Sequence, residues 1–123
     1  MAHNIVQARV DALRRLARRR AAGPLERAVA KSSPEDVAQA IKHLTLADTR
    51  FMMQHVSAEE AGPILLSIDE ERFQYLLGAL PKELVIDSVE ELEPDDAADL
   101  IARFPKDLQT LILQGMEKEE RED

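Results

Sequence analysis

Cysteine and tryptophan are absent from this chain, and its aromatic residues are one tyrosine and three phenylalanines. Without cysteine there can be no disulfide, no thiol nucleophile and no cysteine-ligated zinc centre, and a reducing compartment suits the chain. With so few aromatics there is no interleaved platform on which nucleic-acid bases could stack. No apolar run approaches the roughly 18 residues needed to cross a bilayer. The first stretch is basic and amphipathic with no apolar block, which is not the pattern of a signal peptide. A Gly-rich phosphate loop, a G-x-S-x-G elbow and a supported Ser/His/Asp set are all missing, so an enzyme is not expected.

What the chain does have is a 12-residue phrase written seven times from Ser33 onward. The phrases read SPEDVAQAIKHL, TLADTRFMMQHV, SAEEAGPILLSI, DEERFQYLLGAL, PKELVIDSVEEL, EPDDAADLIARF and PKDLQTLILQGM. Positions 8, 9 and 12 are apolar throughout except at Ser88, and position 5 often joins them, as at Val37, Ala61, Phe73, Val85 and Ala97. That spacing is i, i+3, i+4, i+7, the apolar stripe of an amphipathic helix. Twelve residues allow about two turns and a corner, a helix of roughly 12–14 Å. Helices so short do not persist alone, so the stacked array is the folding unit. The predicted fold is all-α, an armadillo-like solenoid of short helices.

Corner chemistry agrees with this register. Ser33, Thr45, Ser57 and Asp69 suit N-caps, Ser57 with Glu60 forms a capping box, and Pro34 and Pro94 fall where a missing N–H costs nothing. Acids at position 3 (Glu35, Glu59, Glu71, Glu83, Asp95, Asp107) favour the positive helix end. Pro81 and Pro105 stop the helices before them. Pro63, after Gly62, falls inside the third phrase, where it predicts a helix that starts late or bends.

The net charge of −8 hides a split. Residues 1–31 carry eight Lys or Arg against Asp11 and Glu26, while residues 32–123 carry eight against twenty-two acids. The chain divides into a basic amphipathic helix over 1–23, with Val6, Val10, Leu13 and Ala17 on one face and Gly23-Pro24 at its end, the helical array over 24–116, and a charged tail over 117–123. A short helix, Leu25 to Ala30, leads into the array. Arg14, Arg15, Arg18, Arg19 and Arg20 suit a nucleic-acid or lipid surface, or a helix capping the array with its arginines solvated or facing the acidic body. The lack of aromatics and the acidic body favour the cap, and no nucleic-acid partner is expected. The tail EKEERED reads as the polar opening of an eighth phrase, cut before its apolar positions, or as a solvated end.

Carboxylates are the one chemical resource in excess. His3, His43 and His55 are read as surface residues rather than ligands, the last two sharing position 11 of adjacent phrases. Glu83 with Asp87, and Asp95 with Asp99, are i, i+4 pairs on the face away from the stripe. Like charges so placed destabilise a helix by about a few tenths of a kcal/mol unless neutralised. A divalent cation such as Mg²⁺, which takes one or two carboxylates and keeps water, would neutralise them, and a solvated acidic face is the plainer alternative.

The run LEPDDAADLIARFP, Leu92 to Pro105, resembles the signature helix in the cytosolic N-terminal domain of MgtE-type magnesium transporters and channels. The resemblance covers about Pro24 to Asp123. It implies a right-handed superhelix that senses intracellular Mg²⁺ at the cytoplasmic side of the cell membrane and gates the pore. It implies as partners the CBS domains and transmembrane pore of the same polypeptide, and a homodimer in the full-length protein. Asp95 and Asp99 match the family's bridging aspartates, and Asp96 matches the motif as a cap. The family's other bridging acid aligns with Pro63, so that ligand is missing here. Sites shared with CBS domains imply weak Mg²⁺ binding by this domain alone. The competing reading is an armadillo-like interaction scaffold with no ion role.

Overall fold

The computed structural model describes residues 2–122, with side-chain surroundings from Ile5 to Lys118. All the regular structure among the described residues is helical: α1 (Ala2–Arg18), α2 (Ala22–Ala30), α3 (Pro34–Ile41), α4 (Leu46–Met53), α5 (Ala58–Ser67), α6 (Glu70–Ala79), α7 (Lys82–Glu90), α8 (Pro94–Ala102) and α9 (Lys106–Glu122). From α3 to α9 each helix begins 12 residues after the last. The cause is local. Ser33, Thr45, Ser57 and Asp69 each accept a hydrogen bond from the backbone N–H three residues on, at 3.0–3.1 Å. Glu60 returns the bond to the Ser57 N–H at 2.8 Å and completes the capping box. Pro34 and Pro94 occupy first helical positions.

The stripe is the core. All seven residues at position 8 are buried, from Ala40 to Ile112, including Ser88. Ser88 and the buried Thr49 satisfy their hydroxyls within their own helices, donating to the Leu84 and Thr45 carbonyls at 2.6 and 2.9 Å. Helices two apart pack on one another, α1 on α3, α3 on α5, α5 on α7, α7 on α9 and α4 on α6, and sequence neighbours also touch, α1 with α2 and α7 with α8. Residue size explains the close approach of α5 to α7. A Cβ built on Gly62 would lie 2.8 Å from the Ser88 carbonyl oxygen and 2.9 Å from Leu92, so only hydrogen fits there.

Five expectations need correction. Of the late start or bend expected at Pro63, the late start is absent: helix α5 begins on schedule at Ala58 with Pro63 inside it. The Cβ clash that normally displaces the residue before a proline is absent, because that residue is Gly62. Helix α1 ends at Arg18, short of Gly23-Pro24, because Arg20 takes a left-handed backbone (φ 58°). Its Nη1 donates to the Ala17 carbonyl at 2.7 Å and to Asp48 Oδ1 at 2.6 Å, which offsets the strain. Helix α2 therefore begins at Ala22, with Gly23 and Pro24 in its first turn, where an N–H has no helical partner to lose. Val6 and Leu113 are 42% and 47% exposed although both lie on the stripe. Val6 lies near the start of α1, and among the described residues no later helix follows α9 to cover Leu113. Finally, α9 runs on through Glu122 with no corner at Glu117, since Glu117-Lys118 supplies neither cap nor proline. The side chain of His3, and Asp123 of the tail, lie outside the described residues.

Candidate functional site

Helices α7 and α8 carry the carboxylate pairs at equivalent places. Glu83 and Asp95 stand at the second helical position, Asp87 and Asp99 one turn later. All four are exposed, and none of their side chains makes a hydrogen bond or ion pair among the described residues. Each pair shares one face of its helix by the i, i+4 rule. The apolar stripe explains why that face is wet: Val85, Ser88 and Val89 of α7, and Ala97 and Leu100 of α8, turn inward and leave the acids outward.

The acidic character extends beyond the two pairs. Residues 83–102 hold eight acids and no Lys or Arg. Glu91, Glu93 and Asp96 are exposed along the same stretch. Asp96 makes no capping bond, contrary to expectation: the N-cap of α8 is Glu93, whose side chain does not cap, and Pro94 presets the first turn. Among the described residues no three His, Asp or Glu side chains converge as a metal set. The chain thus presents separate pairs of hard oxygen donors. Each pair fits the one or two carboxylates that Mg²⁺ accepts beside its waters, and the remaining ligands would have to come from elsewhere.

The histidines stand apart from this face. His43 is exposed. His55 is half-buried, its Nδ1 3.0 Å from Glu26 Oε1 and its ring 4.5 Å from that of Phe51.

Arginines hold the corners, and to two of them, Arg72 and Arg103, sequence reasoning gave no role. Arg72 Nη2 donates to the Lys42 and Leu44 carbonyls, both at 3.1 Å, and Arg18 donates to the His43 carbonyl at 3.3 Å. Arg103 donates to the Leu65 and Ile68 carbonyls at 2.6 and 3.1 Å and meets Glu70 at 3.2 Å. These carbonyls close helices α3 and α5, where the chain has no further N–H to offer them. Arg103 also lies 4.0 Å over the Phe73 ring, which stacks on Phe104 with centroids 5.6 Å apart. Arg72-Phe73 and Arg103-Phe104 each end on the buried stripe, but Arg50-Phe51 has the same form away from any corner carbonyl, so the dipeptide alone does not mark a corner arginine. Two neighbouring acids titrate low. The Arg72 backbone N–H, with its guanidinium, holds the Asp69 carboxyl below the usual range against partial desolvation. Gln74, then Arg103, does the same for Glu70.

On the far side, Arg20 pairs with Asp48 at 2.6 Å and lies 4.9 Å over Phe51, while Val10, Leu13 and Ala17 join the common core. The basic helix thus packs on the array, as the capping alternative requires.

No described helix is long and apolar enough to cross a membrane. No match was found among curated proteins or among solved structures. The family model for the MgtE intracellular N domain matches residues 32–123, the stretch that holds the seven-fold phrase and both acidic pairs. With most of its length in that match, the chain belongs to the MgtE intracellular N domain family, a cytosolic domain of magnesium transporters.

Proposed function

We propose that this chain is the Mg²⁺-sensing regulatory domain of a magnesium transporter, acting from the cytoplasmic side through Asp95 and Asp99. The observation that carries the reading is that these two aspartates are exposed, unpartnered and one turn apart, inside the family-matched segment. Glu83 and Asp87 repeat the arrangement one unit earlier. We further propose that the alternating helix contacts wind as a right-handed superhelix. Its acidic face would meet acids of CBS domains in the same polypeptide, within a homodimer.

Electrostatics supplies the switch. Two acidic surfaces repel, and a shared divalent cation reverses the sign, so the assembly has an open and a compact state whose balance follows Mg²⁺. Asp95 and Asp99 orient and hold the ion on this side. Because the other ligands belong to a neighbour, the 123-residue chain binds Mg²⁺ only at millimolar concentration or above. Calorimetric titration giving micromolar affinity would contradict the shared-site reading. In a transporter carrying this domain, Asp95→Asn with Asp99→Asn abolishes Mg²⁺-dependent closure, and unchanged closure would remove the sensing role.

One feature favours a second reading, the interaction scaffold. Leu77, Val85, Ile86, Leu108 and Leu111 line an apolar groove between α6, α7 and α9, and Leu111 is 41% exposed. A docked helix there would need no ion, and the double Asn variant would leave its binding unaltered.

A further inference from the structure

We infer that a groove on α1 is a binding site for a phosphate-bearing anion, independent of the acidic face. Arg14, Arg15, Arg18 and Arg19 line this groove with a single carboxylate, Asp11. Their partners within the protein are few. Arg14 approaches Asp11 only to 3.8 Å, and its Nε is buried with no hydrogen-bond acceptor. Arg18 reaches a neutral carbonyl, that of His43. The side chains of Arg15 and Arg19 are exposed and have neither hydrogen bond nor ion pair among the described residues. Although residues 32–123 are strongly acidic, of these arginines and Arg20 only Arg20 receives a carboxylate from that body, Asp48.

Four guanidinium groups against one carboxylate leave three positive charges uncompensated in the groove. Arg14 with Arg18, and Arg15 with Arg19, are like-charged i, i+4 pairs, each unfavourable to the helix unless an anion sits between. The negative end of α1 accounts for a cation in the last turn, not for four around one groove. A planar guanidinium fork matches phosphate oxygens two at a time. No aromatic lines the groove, so the phosphate and not a base is what it recognises. Carboxylates elsewhere on the body act through solvent with a screening length of about 8 Å at physiological ionic strength, and weigh less than guanidinium groups in contact.

A free polyphosphate and a phospholipid headgroup offer the same chemistry, and two probes separate them. Calorimetry of the whole 123-residue chain with tripolyphosphate in Mg²⁺-free buffer reads the first. Flotation with phosphatidylglycerol vesicles reads the second. Saturable binding of either probe, weakened about tenfold or more by Arg15→Gln with Arg19→Gln and unchanged by Arg50→Gln, supports the site and names its source. All three arginines are exposed, so the fold survives these changes and circular dichroism verifies it. Binding of neither probe overturns the proposal, as does equal binding by the double variant. Binding of duplex DNA alone overturns it too, in favour of a nucleic-acid surface.

Discussion

Single atoms decide how closely the units of this array approach. Gly62 faces the Ser88 carbonyl at a distance no methyl group can share, and a backbone oxygen cannot swing aside. Alanine would gain helix propensity of about 1 kcal/mol, yet overpacking at such a contact costs about 1–3 kcal/mol. Gly62→Ala therefore lowers the denaturant midpoint, and an unchanged midpoint would show that α5 and α7 can part freely. Ser88, the one polar residue at positions 8, 9 and 12, lends its backbone carbonyl to this contact, while its buried hydroxyl is satisfied by the Leu84 carbonyl. Asp69 offers a second residue-scale test. Its folded carboxyl ionises below the ordinary range, so it contributes stability above its unfolded pKa, lost as pH falls through about 4 and then through the lower folded value. Asp69→Asn flattens the acid limb of a pH–stability curve, while leaving the slope above pH about 6 unaltered.

At the scale of elements, corners matter more than helices. Eight to ten residues of helix cannot hold themselves, and their last carbonyls would lie bare without Arg18, Arg72 and Arg103. Arg103→Gln removes two charge-assisted bonds to α5 and the cover over Phe73, and should cost about 2–4 kcal/mol, read as a lowered thermal midpoint. Arg50→Gln, exposed and away from any corner carbonyl, should cost about 0.5 kcal/mol or less. Helices were legible in the sequence because the stripe and the caps are local signals, each read within a dozen residues. Corner arginines were not, since each reaches 25 to 38 residues along the chain to atoms that carry no side-chain label. The end of α1 escaped for a related reason: Arg20 adopts the left-handed turn without being glycine, held there by Asp48 from another helix. Pro63 misled because its effect depends on the glycine before it.

Over the whole molecule, charge is separated end to end, basic on α1 and acidic across α7 and α8. The acidic pairs are legible from spacing alone, and the family match covers them, but no third His, Asp or Glu among the described residues converges with them. Crowded like charges disfavour the compact state. Asp95→Asn with Asp99→Asn should therefore raise stability by about a few tenths of a kcal/mol at low salt. The gain should vanish near 1 M salt, where the screening length is about 3 Å. An identical gain at both salt concentrations would mean that repulsion between these carboxylates is not felt.

Because alternate helices stack, the array counts in twos. Removing or adding one 12-residue unit would break the succession α1, α3, α5, α7, α9, setting side by side in it helices that now lie one unit apart. A change of 24 residues keeps that succession in step. Lengthening or trimming this scaffold is thus a question of parity: even edits preserve the succession, and odd edits break it.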